Sequence, residues 1–224
     1  SRIVNWVKNF EFLTKGDDEY FENLLYSALV KQSVHLHRTF LRTEAGASRL
    51  AASKGLIFCG IVLPDSDNYL ISGLDCFEVQ VKKIVFPDGG HVSRNPKIQL
   101  DTLLDIIEIR LALESVNIRA PAWLDSLVDK MIPMFKSMQH GDGGLALFNG
   151  GTIGDPRKIE FALRNSKKNL KPIKSAINSG FQRLVSGKTT LIFDTGSVSN
   201  FSNKGTAAYG GLSFEVSVGK ERLI

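Results

Sequence analysis

The chain has only two cysteines, Cys59 and Cys76. Both lie in apolar surroundings without Cys-x-x-Cys spacing, which excludes a zinc ribbon and a disulfide framework and leaves two buried free thiols as the expectation. The four histidines do not gather either: His35 and His37, two apart, fall on different faces of a helix, and no metal signature or cofactor motif is present. No apolar run approaches the roughly 18–20 residues that a membrane helix requires. The opening residues, Ser1-Arg2-Ile3-Val4-Asn5-Trp6, lack the build of a signal peptide. A start without methionine and an ending inside a strand pattern make the chain read as an interior piece of a larger protein, with any targeting signal outside it.

What is present is a large apolar fraction, 43% of 224 residues, enough to bury a core. The formal charge is +5, unevenly distributed. Nine basic side chains (Arg157, Lys158, Arg164, Lys167, Lys168, Lys171, Lys174, Arg183 and Lys188) face one acidic residue, Glu160, over 157–188. Such a run is either a solvated linker or an attraction for a polyanion. It lacks interleaved aromatics and any nucleic-acid motif, so nucleic acid is not the expected partner.

Helical periodicity dominates the first two-thirds. Leu25, Leu29, Leu36 and Phe40 follow an acidic start at Asp17-Asp18-Glu19 and predict a helix over 17–42. Further helices are expected over 47–63, stopped by Pro64, and over 68–85, stopped by Phe86-Pro87-Asp88-Gly89-Gly90. Asn95-Pro96 reads as N-cap and first helical residue of a helix buried on several sides. A last helix from about 124 carries Pro133 and ends at His140-Gly141-Asp142-Gly143-Gly144. Past Ala176 the period becomes two. Phe181–Val185, a Ser186-Gly187 turn and Lys188–Asp194 predict a β-hairpin. Leu212, Phe214, Val216 and Val218 alternate with Ser213, Glu215 and Ser217, predicting a strand with its apolar side buried and its polar side wet. The expected class is α+β and multidomain: helices over 1–166, a basic linker over 167–179, and strands over 180–224.

Three segments, in this order, resemble the heparinase II/III-like family: Asp88-Gly89-Gly90-His91-Val92-Ser93-Arg94-Asn95-Pro96 ahead of a helix; His140-Gly141-Asp142-Gly143-Gly144-Leu145-Ala146-Leu147-Phe148-Asn149-Gly150; and Leu212-Ser213-Phe214-Glu215-Val216-Ser217 after a Gly-rich stretch. The resemblance implies an α/α toroid of helical hairpins followed by the first strands of an antiparallel β-sandwich. It also implies an acidic polysaccharide as partner and, for family members that are enzymes, β-elimination next to a uronate carboxylate. Export to the periplasm is common in the family. Such a lyase needs a donor at the carboxylate and a proton-transferring Tyr or His pair.

Carried over position by position, the family's Asn-His pair falls on Ser48 and Arg49, its tyrosine on Ile98, and its later histidine on Ala208, beside Tyr209. The resemblance thus offers His91 and Tyr209 as catalytic candidates and Arg49, Arg94 and Asn149 as substrate-binding ones. Arg49 has a plainer reading as a helix-start arginine, and of the other polar groups in these loops Asn95 reads as a cap, Asp142 as a turn former and His140 as a helix-end cation. Ile98 transfers no proton. Two functions therefore stand side by side: a uronate-specific polysaccharide lyase with a rearranged site, and a glycan-binding or scaffold protein that keeps the architecture without the chemistry. A glycosidase using Asp88 and Asp142 as a carboxylate pair is a further alternative.

Overall fold

The computed structural model describes residues 2–16, 18–166, 168–196 and 212–223. The chain divides into two compact units, one formed by 1–83 and 111–119, the other by 84–110 and 120–224.

In the first unit, helices α3 (Glu19–Thr39), α4 (Ala47–Val62) and α5 (Asp67–Ile84, all but its last residue in this unit) follow the expected boundaries closely, and two short helices that the sequence reading does not name, α1 (Arg2–Lys8) and α2 (Phe10–Leu13), precede them. Asp18 caps α3 by accepting from the Phe21 N–H at 3.0 Å. A 3₁₀ turn, Phe40–Arg42, ends that segment, where a continuous helix was expected. Ile3, Leu29, Cys59 and Leu63 form one apolar cluster, and Phe40, Ala52 and Leu56 a second. Burial pushes the Cys59 thiol up to about 12, so it behaves as a small apolar side chain. Gly73 lets α5 lie on α4: a Cβ there would meet the Ile57 side chain at 2.9 Å and the Ser53 carbonyl at 3.0 Å.

The second unit is built on α6 (Pro96–Ser115, in this unit to Arg110) and α7 (Ala122–Ser137). Leu100, Leu103, Ile106, Ile107 and Ile109 are wholly buried, on more faces than an amphipathic stripe would use. Asn95 is the N-cap the sequence predicts, accepting from the Lys97 and Ile98 N–H groups at 2.8 and 3.1 Å. A short amphipathic helix, α8 (Pro156–Arg164), was not anticipated as an element. Its first turn is capped by Asp155 and it buries Ile159 and Ala162. The strands form one antiparallel meander in chain order: β1 (Ser175–Ala176), β2 (Phe181–Ser186), β3 (Thr189–Asp194), β4 (Phe214–Val218) and β5 (Glu221–Arg222). Phe181, Ile192 and Ala176 pack with Met134, Met138, Ala146 and Phe148 into one cluster. No helix among the described residues is long and apolar enough to cross a membrane.

One expectation is reversed. Phe214 and Val218 are exposed, whereas Ser217 is completely buried and Glu215 largely so. In the ladder, Glu215 lies opposite Ile192 and Ser217 opposite Thr190, on the side where the cluster sits. The polar face of β4 points inward because partners wait for it there.

Candidate functional site

Both Asp-Gly-Gly signatures fold into the same tight hairpin. In the first, Gly89 N donates to Phe86 O at 2.9 Å and Phe86 N to Gly90 O at 2.7 Å; in the second, Gly143 N donates to His140 O at 3.0 Å and His140 N to Gly144 O at 2.9 Å. Gly89 and Gly143 take φ +88° and +82°, the left-handed position that follows a type I turn in a three-residue hairpin. Each aspartate first closes its own turn, Asp88 onto Gly90 N and Asp142 onto Gly144 N. Each then ties the turn to the sheet. Asp88 accepts from the backbone N–H of Ser179 at 2.7 Å and from its hydroxyl, and Asp142 takes a two-pronged grip from Arg222 at 2.8 and 3.1 Å. The hydrogen bond from Arg222 holds the Asp142 carboxyl below the usual carboxylate range, which suits an anchor and not a proton donor.

The loop 88–95 and the 3₁₀ turn Phe148–Gly150 meet at a buried polar centre. Arg94 ion-pairs with Asp194, donates from Nε to Ser179 O at 2.9 Å, and lies 5.1 Å from the Phe181 ring centroid. Its burial lowers the guanidinium pKa from the ordinary value, and an arginine placed so needs its counter-ion. Asn149 donates to both the Arg94 carbonyl and Asp194 Oδ2 at 3.0 Å, while Asn95 donates to Asn149 O at 2.9 Å. Arg94 and Asn149 both adopt φ +54°. Residues expected to grasp a substrate carboxylate are thus brought together, and the carboxylate they hold is the protein's own Asp194.

His91 is 9% exposed and sits in the same loop. Its Nδ1 accepts from the Ser93 backbone N–H at 2.9 Å, so the neutral ring carries its proton on Nε2. The His91 backbone N–H donates to Gln99 Oε1 at 2.7 Å. Burial lowers the imidazole pKa from 6.5 to about 4. The folded state therefore refuses a proton that the unfolded chain accepts below about 6.5. Stability is whole above that pH and falls as pH drops towards 4, by up to about 3 kcal/mol. Urea midpoints at pH 7 and 4.5 should separate by about 2–3 kcal/mol more in the wild type than in His91→Asn, whose amide oxygen can replace Nδ1; equal separations would refute this.

A second buried group lies along β4. His140 contacts Ser217 Oγ through Nδ1 at 2.9 Å and donates through Nε2 to Glu215 Oε2 at 3.0 Å. Glu215 Oε1 accepts from Leu147 N at 2.6 Å. The sequence reading singled out neither Asp194 and Ser179 nor Glu215, Ser217 and Arg222; the only visible signal was polar residues recurring in otherwise apolar strands. Of the other candidates, Arg49 belongs to the first unit and donates to the carbonyls of Leu41 and Thr43 at 3.1 and 2.6 Å, fastening the end of the 3₁₀ turn. Ile98 occupies the first turn of α6. Tyr209 and Ala208 lie outside the described residues.

Comparison with known proteins agrees with this architecture. Residues 168–224 match the family Heparinase II/III-like, C-terminal. FtsZ-localized protein C of Caulobacter vibrioides (strain NA1000 / CB15N) is 26% identical over 196 residues, which are 88% of this chain and 34% of that protein. Among solved structures, a heparinase III gene product superimposes with a TM-score of 0.78 at 16% identity, covering 98% of this chain and 39% of that one. A mutant of the heparan sulfate lyase HepC from Pedobacter heparinus gives 0.76 at 17%, again over 98% and 39%. The chain spans about a third of the length of its curated relative. The fold is that of the heparinases, an α/α toroid followed by β-sandwich strands.

Proposed function

Starting from a chain that is heparinase II/III-like in its C-terminal residues and in its fold, we propose that it belongs to a protein that binds an acidic glycan as part of a scaffold and does not cleave it. The observation that carries this reading is the internal commitment of the polar centre. β-Elimination needs a donor free for the uronate carboxylate and a group that exchanges protons near neutral pH. Here Arg94 and Asn149 are spent on Asp194, His91 is held neutral with Nδ1 occupied, and Ile98 stands where the family resemblance places a tyrosine. Attraction for a polyanion remains on the surface of the second unit, where Lys158, Lys171, Lys174, Lys188 and Lys220 are exposed. The similarity to a protein whose name describes localisation by another protein supports the scaffold role. The lyase reading keeps one support, the heparan sulfate lyases among the similar structures.

Full-length protein incubated with heparin, heparan sulfate and alginate should bind at least one of them saturably and release it as salt is raised, with no growth of unsaturated-uronate absorbance. Time-dependent absorbance would establish a lyase; absence of binding to every acidic glycan would remove the glycan reading altogether.

A further inference from the structure

Between α8 and β1 the chain is fastened along α7. Lys168 ion-pairs with Asp129, Lys136 Nζ donates to Leu170 O at 2.8 Å, and Ile173 N donates to Pro133 O at 3.3 Å while its side chain packs on the cluster of Met134 and Phe181. The cations of this stretch therefore keep fixed places, unlike those of a solvated linker. Lys171 and Lys174 are exposed, three residues and at most about 11 Å apart along an extended chain.

Arg183 joins them from β2. The β1–β2 register, Ser175 opposite Gln182 and Ala176 opposite Phe181, continues to Lys174 opposite Arg183, whose backbone N–H donates to Lys174 O at 2.8 Å. Side chains directly opposite share a face, so two cations stand together, an arrangement that costs stability unless an anion lies between them. Among the described residues, none of Lys136, Lys171, Lys174 and Arg183 forms an ion pair. Arg183 Nη1 donates to the carbonyls of Ser137 and Gln139 at the end of α7, a place that suits a cation. That uses one prong of the fork. Nε and Nη2 make no hydrogen bond with the described residues, and neither is sealed from solvent. Burial lowers the guanidinium pKa from its ordinary value, so the charge is held at a cost that a nearby anion would relieve.

The donor set selects the ligand. A guanidinium edge left open to solvent grips a carboxylate or sulfate with two parallel hydrogen bonds, and lysines beside it add point charges. Successive cations along an extended chain match a polymer with repeated anionic groups and not a single small anion. Residues 165–178 contain no aromatic side chain on which a base could stack, which favours a glycan over single-stranded nucleic acid. We infer that Arg183 and Lys174, flanked by Lys136, bind one sulfate or uronate carboxylate of an acidic glycan, and that Lys171 takes the next. The inference rests on the acidic-glycan reading and gives it a site, apart from the polar centre around Arg94.

The test titrates full-length protein with heparin and alginate oligosaccharides by calorimetry at several salt concentrations. Lys171→Gln combined with Lys174→Gln, both on exposed side chains, should weaken the tighter ligand about tenfold and lower the slope of log Kd against log salt by roughly one to two. Arg183 also fastens α7, so it is tested by Arg183→Lys, which keeps the charge and loses the fork; binding should weaken about threefold at an unchanged slope. Lys31→Gln combined with Lys83→Gln, on exposed cations of the first unit, should move Kd less than about twofold. Tighter heparin marks sulfate as the group the fork holds, and tighter alginate marks carboxylate; either supports the site. Wild-type binding that survives the Lys171 and Lys174 changes, or that falls equally in the two double variants, would overturn the site and leave the acidic-glycan reading standing. A single-stranded oligonucleotide of equal charge that competes on equal terms would overturn the choice of a glycan. Wild-type protein that binds neither glycan would remove the reading and the site together.

Discussion

Replacing Asp194 with alanine is expected to cost about 3–5 kcal/mol of folding stability, because it strands a buried guanidinium without its counter-ion. Arg94 is 6% exposed and Asp194 only 1%, so water cannot take over from the lost carboxylate. The Nδ2 of Asn149 loses one of its two acceptors in the same step. A double replacement, Arg94→Met with Asp194→Leu, removes both charges and should recover most of the loss, since buried ion pairs can be exchanged for apolar contacts nearly neutrally. Urea denaturation followed by circular dichroism measures all three variants. A single-variant cost below about 1 kcal/mol would show that Arg94 has another counter-charge and is available to a ligand, which would also undermine the non-cleaving reading.

The duplicated Asp-Gly-Gly hairpin allows a controlled comparison. Gly89→Ala and Gly143→Ala impose the same left-handed strain, about 1–2 kcal/mol. They differ in surroundings. A Cβ on Gly143 has nothing within 4 Å, whereas one on Gly89 would fall against the backbone carbonyl of Lys130 in α7. Overpacking against backbone adds about 1–3 kcal/mol, so Gly89→Ala should cost about 2–5 kcal/mol in total and Gly143→Ala only the strain. Denaturation midpoints for the two variants decide the matter; equal costs would mean that the α7 contact yields freely. The expected difference locates the point at which the first hairpin is pressed against α7; the matching position of the second has open space around it.

Several elements were legible from the residues alone. The stops at Pro64 and at the two Asp-Gly-Gly turns, the Asn95 cap and the Ser186-Gly187 hairpin were all read correctly, because each is decided by interactions within a few residues. Asp88 and Asp142 read as turn formers, and each does close its own turn. Their second bonds, to Ser179 and Arg222, lie 91 and 80 residues away, and no local pattern announces them.

Short-range signals in the residues set where α6 starts and where α4 and α5 stop, where the period changes from helical to two, and which glycines turn the chain. Those outcomes follow from backbone geometry and capping, which act over one or two turns. Only the tertiary structure decided that the polar side of β4 faces inward onto His140 and Leu147, and that Arg94 and Asn149 close on Asp194 and not on a ligand. Alternation along a strand separates two faces but cannot say which one meets the core. A buried charge is settled only by the counter-charge that folding brings to it.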